Sequence, residues 1–159
     1  MRPDFDFFVV FAEMRTGSNL LETNLNALDD VRCVGEAFNP QFIGYPKTEQ
    51  IVGVTRQARD ENPMRLLTAI KGFPNVLAGF RYFSDHDPRV LDTLLDDPRC
   101  AKVVLTRNPV DSYVSLKVAR ETGQWKLTNA KRRKTASIRF DPLEFEKHAA
   151  RLQSFQLKV

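Results

Sequence analysis

The chain has 159 residues and a formal net charge of +4, with 42% hydrophobic and 28% charged residues. This size and composition are typical of one globular domain with a sizeable core. No apolar run approaches the roughly 20 residues that a transmembrane helix needs. The N-terminal run Phe7 to Ala12 is too short for a secretory signal and is followed directly by Glu13. These features argue against an integral membrane protein, and we expect a cytoplasmic one.

The cysteines and histidines do not form a metal-binding pattern. Cys33 and Cys100 lie far apart in the sequence, and His86 and His148 are isolated. None of them has a second ligand at the short spacing that metal sites use. We therefore expect two reduced core cysteines, structural or surface histidines, and no metal site.

Short apolar runs alternate with amphipathic stretches, which is typical of βαβ units and predicts a parallel sheet. The predicted strands are residues 7–12, 31–34, 76–80 and 101–106. The predicted helices are residues 18–28, 63–71, 88–95, 109–122 and 141–152. Residues 39–62 are rich in proline and glycine, so we expect a loop there with a short helix at most. The sequence thus predicts an α/β domain with a central parallel sheet.

One polar segment joins the first predicted strand to the first predicted helix. It contains Arg15, Thr16, Gly17, Ser18 and Asn19. Such a loop directs backbone N–H groups and a helix N-terminus at an anion above the sheet. Gly17 lets the backbone approach closely, and Arg15 adds a fixed positive charge. The alternative is that Ser18 only caps the helix and Arg15 lies at the surface.

A second segment also leads from a strand end into a helix. Arg107 is expected at the carboxyl end of its strand, where open α/β sheets bind ligands. Asn108 can cap the following helix, Pro109 suits its first position and Gly123 can end it. Ser115 lies close to two helical turns after Asn108, so it should face the same way as the cap. A ligand with two separated phosphate groups would satisfy both segments.

The two segments together resemble those of sulfotransferases that use 3′-phosphoadenosine-5′-phosphosulfate (PAPS). The similarity is strongest to the bacterial carbohydrate branch, which includes trehalose and Nod-factor sulfotransferases. Residues 15–19 resemble the family's 5′-phosphosulfate loop. The family's 3′-phosphate motif resembles Arg107, Asn108, Pro109 and Ser115. Further similarity lies in residues 79–83, 115–119 and 122–125, and family members often have lysine at the position of Arg81.

The resemblance implies a P-loop NTPase-like three-layer fold in a single domain, residues 1–159, that is incomplete at its C-terminus. The implied reaction moves a sulfuryl group from PAPS to a hydroxyl of a carbohydrate or glycolipid. It releases adenosine 3′,5′-bisphosphate (PAP) and needs no metal. Arg15 would contact the phosphosulfate and stabilise the departing nucleotide, with Thr16, Gly17, Ser18 and Asn19 in the same loop. Arg107 and Ser115 would hold the 3′-phosphate.

Glu36 is the candidate general base. It follows the strand predicted at residues 31–34 and Gly35, and so should lie beside the first polar loop at the carboxyl edge of the sheet. The bacterial branch has a glutamate in a similar Gly-Glu context, which implies that Glu36 removes the proton of the acceptor hydroxyl. A base of this kind works best with a pKa raised by partial burial. The alternative is that Glu36 is an ordinary surface carboxylate or that it caps the next segment.

Two other functions stay open at this point. A small nucleotide-dependent kinase would need a P-loop lysine and a Mg²⁺-binding carboxylate, and neither occurs in the expected place. The other open function is that of a remnant that binds a nucleotide but catalyses no reaction. We expect no nucleic-acid partner, because the basic run Lys131 to Lys134 is typical of a solvated surface. A homodimer is possible, since the apolar faces of the sheet need cover.

Overall fold

The computed structural model describes residues 4–125 and 130–159. The strands are β1 (Phe7–Phe11), β2 (Val31–Cys33), β3 (Gln50–Ile51), β4 (Val54–Thr55), β5 (Leu77–Tyr82) and β6 (Cys100–Val104). The α-helices are α1 (Ser18–Leu25), α2 (Arg56–Glu61), α3 (Pro63–Lys71), α4 (Leu91–Asp96), α5 (Pro109–Thr122) and α6 (Pro142–Lys158). Short 3₁₀ turns cover Pro88–Val90 and Ala130–Arg132.

Four strands form a central sheet in the order β2-β5-β1-β6, and every neighbouring pair is parallel. The chain leaving β1 crosses to β2, whereas the chain leaving β5 crosses to β6 on the other side of β1. The carboxyl ends of all four strands therefore meet at one edge, on which the connecting loops lie. β3 and β4 form a separate antiparallel hairpin.

Both faces of the sheet are covered at β1 and β5, whereas Lys102, Val103 and Val104 of the edge strand β6 are exposed. Every residue of β1 is buried, as its continuous apolar run predicts. One face of β1 packs in a core with α3, α4 and Phe155 of α6. The opposite face lies in a second core with Cys33, Phe83 and the partly buried Leu21 and Leu25 of α1. The prediction of a three-layer α/β fold with a central parallel sheet is confirmed, and the arrangement is consistent with a P-loop-like fold.

Helix α5 forms as its sequence predicts. The Asn108 side chain accepts hydrogen bonds from the backbone N–H groups of Val110 and Asp111, at 2.9 and 3.4 Å. Pro109 occupies the first helical position, and Gly123 ends the helix in the left-handed conformation. These local signals agree with one another, so the predicted bounds of α5 are confirmed.

Helix α1 differs from its prediction in length and in its buried face. It ends at Leu25 and not at Leu28, because the Asn26 side chain bonds the backbone N–H and C=O of Cys33, at 2.7 and 3.0 Å. Its buried residues are Ser18 and Glu22, and Leu20 is exposed. The helical spacing of its leucines at positions 20, 21, 25 and 28 predicts an apolar inner face, and this prediction is wrong in part, because the inner face carries polar side chains.

The remaining differences are small. The bounds of the sheet strands differ from those predicted by one or two residues. Residues 39–62 contain the β3–β4 hairpin as well as the expected short helix, α2. The last helix, predicted to end at Leu152, continues to Lys158. No helix in the described part of the chain is long and apolar enough to cross a membrane.

The irregular segment after β2 is held by a buried arginine. The Arg59 side chain, on α2, is almost completely inaccessible. Its Nη1 donates to the carbonyl oxygens of Ala37, Asn39 and Phe42, at 2.9, 2.8 and 3.0 Å. These carbonyls have no sheet or helix to bond with, so the guanidinium supplies the donors that secondary structure would otherwise give.

Replacing Gly79 with alanine should destabilise the sheet. A Cβ at this position would lie 2.4 Å from both Cγ and the carbonyl oxygen of Phe8 on the adjoining strand. Since β5 and β1 would have to separate, we expect Gly79→Ala to lower the free energy of unfolding by about 2 kcal/mol or more in urea denaturation. The control is Gly72→Ala, where the nearest atom lies 3.5 Å away. Equal stability of the two variants would contradict this account.

Candidate functional site

The loop between β1 and α1 has the local geometry that its sequence predicts. Arg15 has a positive φ of 70°, and Gly17, at 97°, is the N-cap of α1. No side chain caps this helix, so Ser18 is not merely a cap. The Thr16 hydroxyl donates to the carbonyl of Glu13 at 2.7 Å, which closes the turn. Ser18 is buried, and Arg15, Thr16 and Asn19 are partly exposed.

The structure brings the two predicted phosphate-binding segments into direct contact. The Nε of Arg15 donates to the Ser115 hydroxyl at 3.0 Å. The Nη1 of Arg107 donates to the Arg15 carbonyl, also at 3.0 Å. A third bond runs from Arg15 Nη1 to the carbonyl of Trp125 at 2.6 Å. Arg15, Arg107 and Ser115, which are distant in sequence, therefore form one cluster at the carboxyl edge of the sheet.

This cluster is electropositive. Neither arginine forms a salt bridge with a carboxylate of the described residues. The pKa of Arg15 is lowered from its usual value, mainly by partial burial and further by the charge of Arg107. Two nearby guanidinium groups without an acidic partner gain by binding an anion, and both can donate paired hydrogen bonds to phosphate.

The enclosed space between the loops is small. A cavity of about 10 Å³ lies between Glu13, Thr16, Arg107 and the Leu152 and Phe155 side chains of α6. This is room for about one water molecule. Arg107 itself is exposed. The two basic segments thus present an open binding surface, not an enclosed nucleotide pocket.

Glu36 lies where the sequence predicts, in the turn that follows β2. Gly35 has a φ of 78°, and a Cβ there would lie 2.3 Å from the Gly44 carbonyl oxygen. Glu36 and Gly44 exchange two backbone hydrogen bonds, at 2.8 and 3.1 Å. This close approach fixes the turn from which the Glu36 side chain points toward β5.

The Glu36 carboxylate is not a freely solvated surface group. Its side chain is 16% exposed. One oxygen, Oε2, accepts a hydrogen bond from the Asn39 side chain at 2.8 Å and lies 3.4 Å from His86 Nε2. The other, Oε1, lies 3.3 Å from Nη1 of Arg81. The carboxylate therefore faces two basic side chains and an amide.

These neighbours determine the pKa of Glu36. Burial alone would raise it, but the His86 and Asn39 hydrogen bonds and the Arg81 charge lower it below its usual value. The sequence led us to expect that a base here would gain a raised pKa from burial, and that expectation is wrong for this state of the protein. Its positive and hydrogen-bonding neighbours outweigh desolvation, so Glu36 is ionised at neutral pH.

Arg81 connects Glu36 to the first loop. Its side chain, on β5, is buried and lies 5.8 Å from the centre of the Phe83 ring. Its Nε lies 2.5 Å from Oε2 of Glu22, and its Nη1 donates to the Ser18 hydroxyl at 3.3 Å. Glu22 also accepts a hydrogen bond from the Tyr45 hydroxyl at 2.5 Å.

Sequence reasoning missed Arg81 and Glu22 as site residues. Arg81 entered only as a point of resemblance, and Glu22 was not considered. A usable signal was present, because Ser18 and Glu22 are four residues apart and lie on one face of a helix that begins at the loop. A polar inner face on such a helix indicates a buried charged partner.

His86 is also more than an isolated histidine. It is 2% exposed and stacks on Phe83, with 4.9 Å between ring centres. Its Nδ1 accepts the Phe83 backbone N–H at 3.2 Å, which leaves the Nε2 proton directed at Glu36. A cleft of about 320 Å³ adjoins His86 and is lined also by Phe38, Pro40, Arg59, Asp60, Asp85, Asp87, Pro88 and Arg89.

The other expectations concern metals and single residues. Within residues 4–125 and 130–159, no group of three or more His, Cys, Asp or Glu side chains is arranged to hold a metal ion. Cys33 and Cys100 are free and buried. The Trp125 side chain is 49% exposed.

The lowered pKa of Glu36 predicts a pH-dependent contribution to stability. A carboxyl whose pKa is lower in the folded state stabilises the fold above its unfolded pKa, about 4.3 for glutamate, and this is lost as pH falls through the folded value. The difference in unfolding free energy between the unsubstituted protein and Glu36→Gln should therefore be constant above about pH 6 and shrink below about pH 4.5. The control is Glu49→Gln at an exposed position. A difference that does not change with pH would contradict the assigned contacts.

Comparisons with known proteins give one curated relative. The chain is 27% identical over 158 residues to Nodulation protein H from Rhizobium tropici, covering 99% of this chain and 64% of that protein. No protein-family model matches the chain, and no solved structure does. The chain thus spans less than two thirds of the relative's length. The aligned region takes in almost the whole chain, including the positions of both basic segments and of Glu36.

Proposed function

We propose that this chain is a sulfotransferase domain that moves a sulfuryl group from PAPS to a hydroxyl of a carbohydrate or glycolipid. The observation that carries the proposal is the contact between the two basic segments through Arg15, Arg107 and Ser115. A nucleotide with phosphate groups at both its 5′ and 3′ positions would engage both segments at once. PAPS is such a nucleotide, and ATP is not.

The similarity to Nodulation protein H supports the proposal. That name refers to nodulation, and the sequence motifs resemble a branch that includes Nod-factor sulfotransferases. The two lines of argument therefore lead to the same group of proteins. The acceptor class, a carbohydrate or glycolipid, rests on this agreement and on no contact within the chain.

Each residue of the cluster has a chemical role in the proposed reaction. Arg107 and Ser115 bind the 3′-phosphate. Arg15 and the N–H groups of its loop bind the phosphosulfate and stabilise the negative charge that develops on the departing phosphate oxygen. Thr16, Gly17, Ser18 and Asn19 shape this loop. No step requires a metal, since the guanidinium groups carry the positive charge.

Glu36 is the general base of the proposed reaction. Its carboxylate takes the proton of the acceptor hydroxyl as the hydroxyl oxygen forms a bond to sulfur. The bond between sulfur and the bridging phosphate oxygen breaks, and PAP leaves with the electron pair. The lowered pKa keeps Glu36 ionised at neutral pH and so able to accept a proton. His86 and Asn39 hold the carboxylate in one orientation.

Arg107→Ala should weaken PAP binding by at least about 1.5 kcal/mol, because charge-assisted hydrogen bonds to the 3′-phosphate are lost. Isothermal titration calorimetry measures this directly. Adenosine 5′-monophosphate lacks the 3′-phosphate and should bind the two proteins almost alike. The exposed Arg65 on α3 gives the matched control, Arg65→Ala. If Arg107→Ala binds PAP with unchanged affinity, the 3′-phosphate assignment fails.

Thermal unfolding separates a sulfotransferase from a kinase and from a remnant that binds no nucleotide. A sulfotransferase should be stabilised against thermal unfolding by PAP without Mg²⁺. A small kinase should respond to ATP with Mg²⁺ instead. A remnant that binds no nucleotide should respond to neither. A nucleotide-binding remnant without turnover would also respond to PAP, and the transfer assay distinguishes it.

Glu36→Gln should lower the transfer rate about a hundredfold or more, since the amide keeps the shape of the side chain but cannot accept the proton. Labelled PAPS and a panel of sugar acceptors provide the assay. The affinity for PAP should not fall. Transfer at the unmodified rate would mean that Glu36 is not the base, and that another carboxylate or a histidine such as His86 has this role.

A further inference from the structure

One nitrogen atom lies between the phosphate-binding loop and the candidate base. Nη1 of Arg81 is 3.3 Å from the Ser18 hydroxyl and also 3.3 Å from Oε1 of Glu36. The guanidinium cannot easily move, because its Nε is held 2.5 Å from Glu22 and the side chain is buried. Any change in charge beside Ser18 is therefore felt through Arg81 at Glu36.

The two carboxylates near Arg81 share one guanidinium. Arg81 of β5 is the nearest permanent cation, and it is shared between Glu36 and Glu22 of α1. His86 is the other basic neighbour, and its ring is buried with the Nε2 proton facing Glu36. The Tyr45 hydroxyl contacts Glu22 and stays neutral, because burial and Glu22 raise its pKa well above the usual value.

Glu36 is the more weakly held of the two carboxylates that share Arg81. Its contact with the guanidinium is 3.3 Å, against 2.5 Å for Glu22. Arg81 is the permanent cation that contacts both carboxylates, so any other anion near its guanidinium shares the same charge. A further anion beside Ser18 competes with both carboxylates for the guanidinium of Arg81. Of the two, Glu36 loses more of its electrostatic attraction to Arg81, because its contact is the longer.

We propose that Arg81 is a positioning residue that links the loop at Ser18 to Glu36, so that an anion bound in this loop makes Glu36 a stronger base. The inference rests on the proposed function, since the loop is the donor site of that reaction. It relates the lowered pKa of Glu36 in the ligand-free protein to the proposed reaction. The base is weak while the loop is empty and gains basicity when the sulfuryl donor is bound.

The experiment measures the pKa of Glu36 directly and does not require turnover. Glutamate labelled with ¹³C at the carboxyl carbon is titrated by NMR in the complete chain, and Glu36→Gln assigns the signal. The titration is repeated with PAP and, separately, with inorganic sulfate, which does not titrate in this range. We expect the pKa of Glu36 to rise by about 1 pH unit or more with either probe. Calorimetry measures the binding of each probe in parallel.

The outcomes separate the inference from the proposed function. If PAP binds and the pKa of Glu36 does not change, the inference is overturned and the proposed function stands. If sulfate raises the pKa of Glu36 but PAP does not bind, the inference stands and the proposed function fails. If neither probe binds, both are overturned.

Arg81→Lys tests whether the effect passes through Arg81. Lysine keeps the charge but is a point cation that cannot hold two carboxylates and a hydroxyl in one plane. In this variant the pKa of free Glu36 should already be higher, and the rise caused by sulfate should be less than half that of the unsubstituted protein. The control is Arg32→Lys, at an exposed position on β2. An unchanged rise in Arg81→Lys overturns the link. If this variant does not fold, the titration of the unsubstituted protein still decides the inference.

Discussion

The buried guanidinium of Arg81 sets a constraint that much of the structure satisfies. Removing an arginine from water costs several kcal/mol unless charges and hydrogen bonds replace the lost solvation. Here Glu22 of α1, Glu36 after β2 and the Ser18 hydroxyl supply that replacement. Ser18 and Glu22 belong to α1 and Glu36 to the turn after β2, so the one charge on β5 fixes where α1 begins and lies and how the chain turns after β2.

The sequence was sufficient where local chemistry decides the outcome. Helix α5 has its cap, its proline and its terminal glycine in the expected places, so both of its ends were predictable. That both basic segments lie at one edge of the sheet followed from topology, since loops that leave parallel strands at one edge are neighbours, whereas the direct contact of Arg15 with Ser115 was not predicted. Neither inference required knowledge of any distant side chain.

The sequence was insufficient where a partner far along the chain decides the outcome. In the sequence, Glu22 has the pattern of a solvent-exposed residue among leucines. Its burial, and the exposure of Leu20, are explained only by its ion pair with Arg81 on β5. The pKa of Glu36 is a similar case. Burial could be guessed from its position after a strand, but the opposing effects of Arg81 and His86 depend on distances that no spacing reveals. The electrostatic interactions between segments are therefore the part of the site that the sequence alone could not predict.

The strand order has a consequence for how the chain acquires its fold during synthesis. β1 is the apolar run FFVVF, and its sheet partners are β5 and β6, so that Phe7 lies opposite Ala78 and Cys100. At a translation rate of about 5–20 residues per second, β1 has no sheet partner for several seconds after it leaves the ribosome. A strand of this composition pairs readily with other chains as long as it lacks its own sheet partners. Until β5 has been made, α1 is the nearest segment of the chain itself that can cover β1, through the core that its Leu21 and Leu25 share with that strand.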